Sequence, residues 1–261
     1  MIRLTLSAGN AVPALNKTTF KLGFLAMLPA LLAGCLFFRG QRYQDLTTRT
    51  PLEENHFLVL GFMGGRDSWK TENHLQGLAV KLRSMDHLPL HVEAMENRKR
   101  GLAVELIRKA LDRNRDGQLE MEERVSARLI LYGQSFGGAA VVKLARQLEN
   151  MQVPVLLTIQ IDSVGRGDGR IPSNVARAAN FFQRNGLLIR GEPRVVPEDP
   201  LRTTILGNFE FDYGQKQIDI SRVPWHKKVF RQAHTKMEHD AEVWERVEEL
   251  ILGEIRSQSA Q

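Results

Sequence analysis

The sequence predicts an α/β fold: a mostly parallel sheet with helices on both faces. Short apolar runs of strand type, at 56–60, 89–94, 129–132 and 153–161, alternate with stretches of helical character at 71–84, 102–111, 139–148 and 240–255. That alternation belongs to sheets whose parallel strands are joined by helical crossovers. Some runs, such as Val-Pro-Val-Leu-Leu-Thr-Ile-Gln-Ile at 153–161, are nearly continuous in apolar residues, as strands covered on both faces are. Glycine-rich turns end two of the strands, each ahead of a helical stretch. With 261 residues, 43% hydrophobic and 25% charged, the chain can bury one sizeable α/β core, and it contains no internal repeat.

The first forty residues read as a targeting segment. Lys17 and Lys21 precede an apolar stretch at 22–32, broken only by Gly23 and Pro29, which is the length of a signal-peptide core and short for a membrane span. It ends in Leu32-Ala33-Gly34-Cys35. This resembles the lipobox of bacterial lipoproteins, which implies a signal peptide at 1–34 and acylation of Cys35. The domain would then be membrane-anchored outside the cytoplasm, on a periplasmic or cell-surface face. An uncleaved anchor is the alternative, because apolar residues resume at Leu36-Phe37-Phe38. Residues 35–55, with Gln41, Gln44, Thr47, Thr48, Thr50 and Pro51, read as a polar tether to a domain at 56–256. A single Cys excludes an intramolecular disulfide. Net charge is +6, but the basic residues are scattered and aromatics are few, so no nucleic-acid partner is expected.

Within the domain, the strand at 56–60 runs into Gly61-Phe62-Met63-Gly64-Gly65. This turn lacks the Lys-Ser/Thr ending of a P-loop and is not G-x-G-x-x-G. The helix at 102–111 carries Leu102, Leu106, Ile107 and Ala110 on one face. After the strand that ends at Asp162, a helix is expected at about 173–183 and a short strand at 187–190. Pro193, Pro197 and Pro200 mark a loop. Residues 203–213 have strand character, and 218–220 form a further short strand. The last helix buries Val243, Val247, Leu250 and Ile251 and starts from Asp240 as N-cap.

Between the helix at 102–111 and the strand at 129–132 lies Asp112-Arg113-Asn114-Arg115-Asp116-Gly117-Gln118-Leu119-Glu120-Met121-Glu122-Glu123. It resembles an EF-hand loop, with oxygen side chains at positions 1, 3 and 5, Gly at 6 and a carboxylate at 12. A hard cation needs roughly six or seven oxygens. The resemblance implies Ca2+ held by Asp112, Asn114, Asp116, the Gln118 carbonyl and Glu123, with Glu120 acting through a water. EF-hand sensors work in pairs, so a lone loop here reads as a structural clip that sets where the next strand enters the sheet. The alternative is a solvated acidic linker with an Asp-Gly turn.

That next strand, Leu129-Ile130-Leu131-Tyr132, ends in Gly133-Gln134-Ser135-Phe136-Gly137-Gly138, and a helical stretch follows at once. Turning a strand into a helix over about one residue strains the Ser backbone, and a Cβ on the flanking residues would collide with neighbouring elements. The Ser hydroxyl then stands at the carboxyl end of the strand, where open α/β sheets bind ligands. A glycine-rich turn that binds an anion or only packs is the alternative. The stretch resembles the α/β-hydrolase superfamily, and the likeness extends over most of residues 52–256. It implies Ser135 as nucleophile and the amides of Phe136 and Phe62 as oxyanion hole, Met63 being the neighbouring alternative to Phe62. The chain order is then Ser, acid, His. His234, several residues ahead of the last helix, fits the base; His239 and His226 are the alternatives. Asp162 ends the strand after the nucleophile strand and is the preferred acid, with Glu192 or Asp199 one strand later. The implied activity is hydrolysis of a small-molecule ester or thioester through an acyl-enzyme, without an organic cofactor. An acyltransferase with the same triad, a peptidase, and a calcium-stabilised surface binding module are the rival functions.

Overall fold

The computed structural model describes residues 40–65, 67–186, 189–225, 228 and 231–259. The chain divides into a unit ending at Gly40 and a unit at Gln41–Gln261, and the second is described below. The expected signal peptide, Cys35 and His226 lie outside the described residues.

Six strands form one sheet in the order β2-β1-β3-β4-β6-β8. They are β1 (Phe57–Met63), β2 (Leu90–Glu96), β3 (Leu129–Gln134), β4 (Val155–Ile161), β6 (Val175–Gln183) and β8 (Thr204–Phe211). Each pairing between them is parallel. Two short strands, β5 (Arg170–Ile171) and β7 (Val196–Pro197), pair with each other apart from this sheet. The helices include α1 (His74–Arg83), α2 (Arg100–Leu111), α3 (Met121–Val125), α4 (Phe136–Asn150), α5 (Gln232–Glu238) and α6 (Ala241–Ser259).

Side chains alternate across a strand, so β1 and β3 feed two cores. Leu58, Leu60, Phe62, Leu129 and Leu131 pack with Leu106 and Ile107 of α2 and with Val141, Leu144 and Leu148 of α4. Phe57, Val59, Met63, Ile130 and Tyr132 pack on the other face with Leu75, Leu78 and Leu82 of α1 and with Val243, Val247 and Ile251 of α6. The sandwich of helix, sheet and helix expected from the alternation is therefore present. The sheet reverses its direction of growth between β1 and β3, which places a crevice at their carboxyl ends.

Three expectations are corrected. The segment at 173–183, expected to be helical, is β6: its Ala and Arg content favours a helix, but it is paired with β4 on one side and β8 on the other, and burial there outweighs propensity. Residues 218–220 form no strand. The tether is part of the domain from Gln41 onward. The amides and hydroxyls of Thr47 and Thr48 all donate to Glu93 Oε1 at 2.6 to 2.9 Å, Gln41 Nε2 donates to the Ala94 carbonyl, and Leu52 joins the core. Polar composition here reflects satisfaction of a buried carboxylate. Of the strand expected at 187–190, residues 187 and 188 lie outside the described residues, and 189 and 190 have no regular structure.

Candidate active site

Ser135 sits between β3 and α4 with φ 58° and ψ −125°, a backbone region that non-glycine residues adopt only when the surroundings hold them there. The surroundings do so. The Ser135 amide donates to the Ile161 carbonyl at 2.9 Å, and the Ser135 carbonyl accepts from Gly138 at 3.0 Å and Val164 at 3.2 Å. A Cβ on Gly133 would collide with the Gly137 backbone, and one on Gly137 with the Phe62 carbonyl. A Cβ on Gly138 would stand 2.6 Å from the Ser163 side chain. The three glycines let β1, β3, α4 and the loop after β4 close around one residue. As the first residue of α4, Phe136 has an amide with no partner inside the helix, at its positive end.

The loop after β1 meets Ser135 from the other side of the crevice. A Cβ on Gly64 would lie 2.9 Å from Ser135 Cβ, and Gly65 follows with φ 53°. Asn97 ties this loop down by donating to the carbonyls of Met63 (2.9 Å) and Gly65 (2.8 Å). Phe62 and Met63, the sequence's choices for the second oxyanion amide, are instead buried strand residues, Phe62 in register with both Met95 and Gly133. The strand runs three residues further than the apolar run indicated, so the loop begins at Gly64. Gly64 is brought against Ser135, and Gly65 lines the same cavity.

His234 lies on α5 and is 2% exposed, with Nδ1 2.6 Å from Asp162 Oδ2. A carboxylate only accepts, so Nδ1 is the donor of this bond, and Nε2 is left on the side of the ring away from Asp162. Asp162 follows β4 with φ 43° and no exposed surface. Gln183 Nε2 donates to the same Oδ2 at 3.0 Å, and the Gln183 amide reaches Oδ1 at 3.4 Å. Gln183 thus orients the carboxylate from the end of β6, a part that the sequence reading missed because it took this segment for a helix. Ser135, His234, Gly64, Gly65 and Phe136 line one cavity of about 420 Å³. No Ser135–His234 hydrogen bond is formed among the described residues, and apo sites are commonly looser here than substrate complexes.

The alternatives lie elsewhere. His239 Nδ1 is 3.1 Å from His74 Nε2, beside a cavity of about 480 Å³ that shares no lining residue with those at Ser135. Asp199 Oδ1 accepts from the Leu201 amide in a turn, and Glu192 walls a second cavity beside Ser135 without meeting an imidazole.

The loop at 112–123 is held by hydrogen bonds from its own amides to its carboxylates. Gly117, at the sixth position, has φ 83°. Asp112 accepts from the amides of Asp116 (3.1 Å) and Gly117 (3.0 Å), Asp116 from Gln118 (2.8 Å), and Glu123 from Arg113 (2.8 Å). A hydrogen bond shared with Glu123 holds the Glu120 carboxyl above its ordinary range, and the nearby Asp116 charge adds to this. Among the described residues no three His, Cys, Asp or Glu side chains converge as a formed metal site. The side chains at positions 1, 3, 5 and 12 of the loop are all oxygen-bearing, the kind of donor a hard cation takes.

A scan against protein-family models and a search of curated proteins found no match to this chain.

Proposed function

We propose that the chain is a serine hydrolase of the α/β-hydrolase type that cleaves a carboxylic ester or thioester. The observation that carries the reading is the buried Asp162–His234 pair opening onto the same cavity as a serine held in a strained elbow. A hydroxyl becomes a nucleophile when an oriented base takes its proton. His234 Nε2 accepts the Ser135 proton as Oγ bonds to the acyl carbon. Asp162 fixes the tautomer and stabilises the imidazolium. The amides of Phe136 and of Gly64 or Gly65 receive the oxyanion. Collapse breaks the bond to the leaving oxygen or sulfur, which takes the proton from His234. Water then repeats the sequence, with His234 as base, and releases the acid and free Ser135.

The experiment is labelling with a fluorophosphonate, which reacts only with an activated serine, followed by hydrolysis of a p-nitrophenyl ester series. Labelling abolished in Ser135→Ala is the expected result; an unlabelled wild-type protein would favour the non-catalytic binding module. An acyltransferase would share every step except the last, and product analysis with and without an acceptor alcohol separates the two.

Ca2+ would be held by Asp112, Asn114, Asp116, the Gln118 carbonyl and Glu123, and would fasten the approach to β3. Acylation at Cys35 would hold the domain at a membrane outside the cytoplasm, and metabolic labelling with palmitate, lost in Cys35→Ala, tests it.

A further inference from the structure

Ser135 and Phe136 also wall a second cavity, of about 400 Å³, whose remaining lining joins apolar residues such as Val164 and Ile189 to the charged Asp168, Arg190, Glu192 and Arg231. Asp168 is 2% exposed. Its Oδ2 accepts the Ser163 hydroxyl at 2.5 Å, and its backbone carbonyl accepts Gln160 Nε2 at 3.0 Å. Glu192 stands against Gly169, and its Oε1 accepts the Arg194 amide at 3.4 Å. Arg190 donates from Nε to the Gly186 carbonyl at 2.7 Å. Among the described residues, none of these four charged side chains forms a salt bridge, although both signs face the same small volume.

Carboxylates only accept hydrogen bonds and guanidiniums only donate them, so this cavity has capacity of both kinds in hand. Polar groups desolvated without partners cost free energy, so an acyl chain would cover the apolar part of the wall and leave the charged groups unmet. A ligand arm with net charge would satisfy one pair and oppose the other. Closely spaced hydroxyls donate and accept at once and suit both.

We propose that one arm of the substrate is a sugar-like polyol, bound by Asp168, Glu192, Arg190 and Arg231, with the scissile ester next to it. This rests on the hydrolase reading of Ser135. The polyol can belong to the alcohol, as in an O-acetylated sugar, or to the acid, as in a sugar-acid ester, and both present the same hydroxyl pattern to the cavity.

The test is calorimetric titration of the full-length Ser135→Ala protein with a mono-O-acetyl methyl glucoside, methyl glucuronate and methyl hexanoate. One sugar ester should bind, identifying the arm, while the hexanoate does not. Adding Asp168→Asn should weaken that binding about tenfold or more, and Glu192→Gln, at a less buried position, should weaken it in the same direction. Failure of both sugar esters to bind up to about 50 mM, equal binding of the hexanoate, or unchanged affinity in both variants would overturn the proposal. Fluorophosphonate labelling of the wild-type protein reads the parent claim separately. Labelling without sugar binding leaves the hydrolase standing and removes the polyol, whereas sugar binding without labelling removes the ester chemistry.

Discussion

Asp162 and His234 are 72 positions apart in the chain and 2.6 Å apart in space, both nearly without exposed surface. The carboxylate accepts a hydrogen bond from imidazole Nδ1–H and two more from Gln183, so its orientation is set from β6 as well as from β4. Asp162→Asn keeps the shape and the positive φ that Asn tolerates, but its amide would present a donor to Nδ1 and favour the wrong tautomer. The expected outcome is a fall in kcat of about 10⁴-fold with little change in thermal midpoint. A loss below about tenfold in steady-state assays would remove Asp162 from the mechanism.

Ser135→Ala should lower kcat by roughly 10⁴ to 10⁶-fold and abolish covalent labelling, with an unchanged circular dichroism spectrum. Turnover close to wild type would exclude an acyl-enzyme on this residue.

The elbow glycines differ sharply from glycines elsewhere. A Cβ on Gly137 meets the Phe62 backbone, which cannot swing aside, whereas one on Gly253 in α6 meets nothing within 4 Å. Gly137→Ala should destabilise by about 3 kcal/mol or more, through overpacking. Gly253→Ala should stabilise by about 0.5 to 1 kcal/mol through helix propensity. Urea unfolding of both variants checks the contrast, and equal midpoints would show that the β1–α4 contact yields.

His74, facing His239 across 3.1 Å, is held below its ordinary value of 6.5, first by burial and then by that second imidazole, with Glu238 opposing. The folded protein therefore resists a proton that the unfolded chain accepts. The neutral ring's contribution is complete above about pH 6.5 and drains away as pH falls through the lowered folded value. Wild-type protein should lose more stability between pH 8 and pH 5.5 than His74→Gln does. Parallel losses in chemical denaturation would sink this account; the separate His56–His91 contact is common to both proteins.

Calcium at about 100 times its dissociation constant should raise stability by about 2.7 kcal/mol, roughly 5 to 10 °C in thermal midpoint. Glu123→Gln, which removes the closing carboxylate, should abolish the shift. Equal shifts in the variant would show that the ion binds somewhere else.

The elbow was legible because its constraint is local. Gly-x-Ser-x-Gly-Gly between an apolar run and a helical stretch encodes one backbone turn, and the same holds for Gly117 in the acidic loop. The alternation of strands and helices was legible for the same reason, and it carried the parallel two-core sheet as far as β4. Between β4 and β8 a local signal misled, although the strand at 203–213 and the last helix were both legible. Residues 175–183 have a helix former's composition, yet they lie between two strands that supply both sets of backbone partners.

The sequence by itself determined the strained serine and the acidic loop, each written within a dozen consecutive residues, and the class of sheet, written in the alternation of strand and helix runs along the chain. Only the tertiary structure decided which of three carboxylates meets which histidine, that Gly64 rather than Phe62 approaches the serine, and that a charged cavity lies beside it. These are meetings between distant segments, and strand order and strand length, set by burial across the whole sheet, determine them.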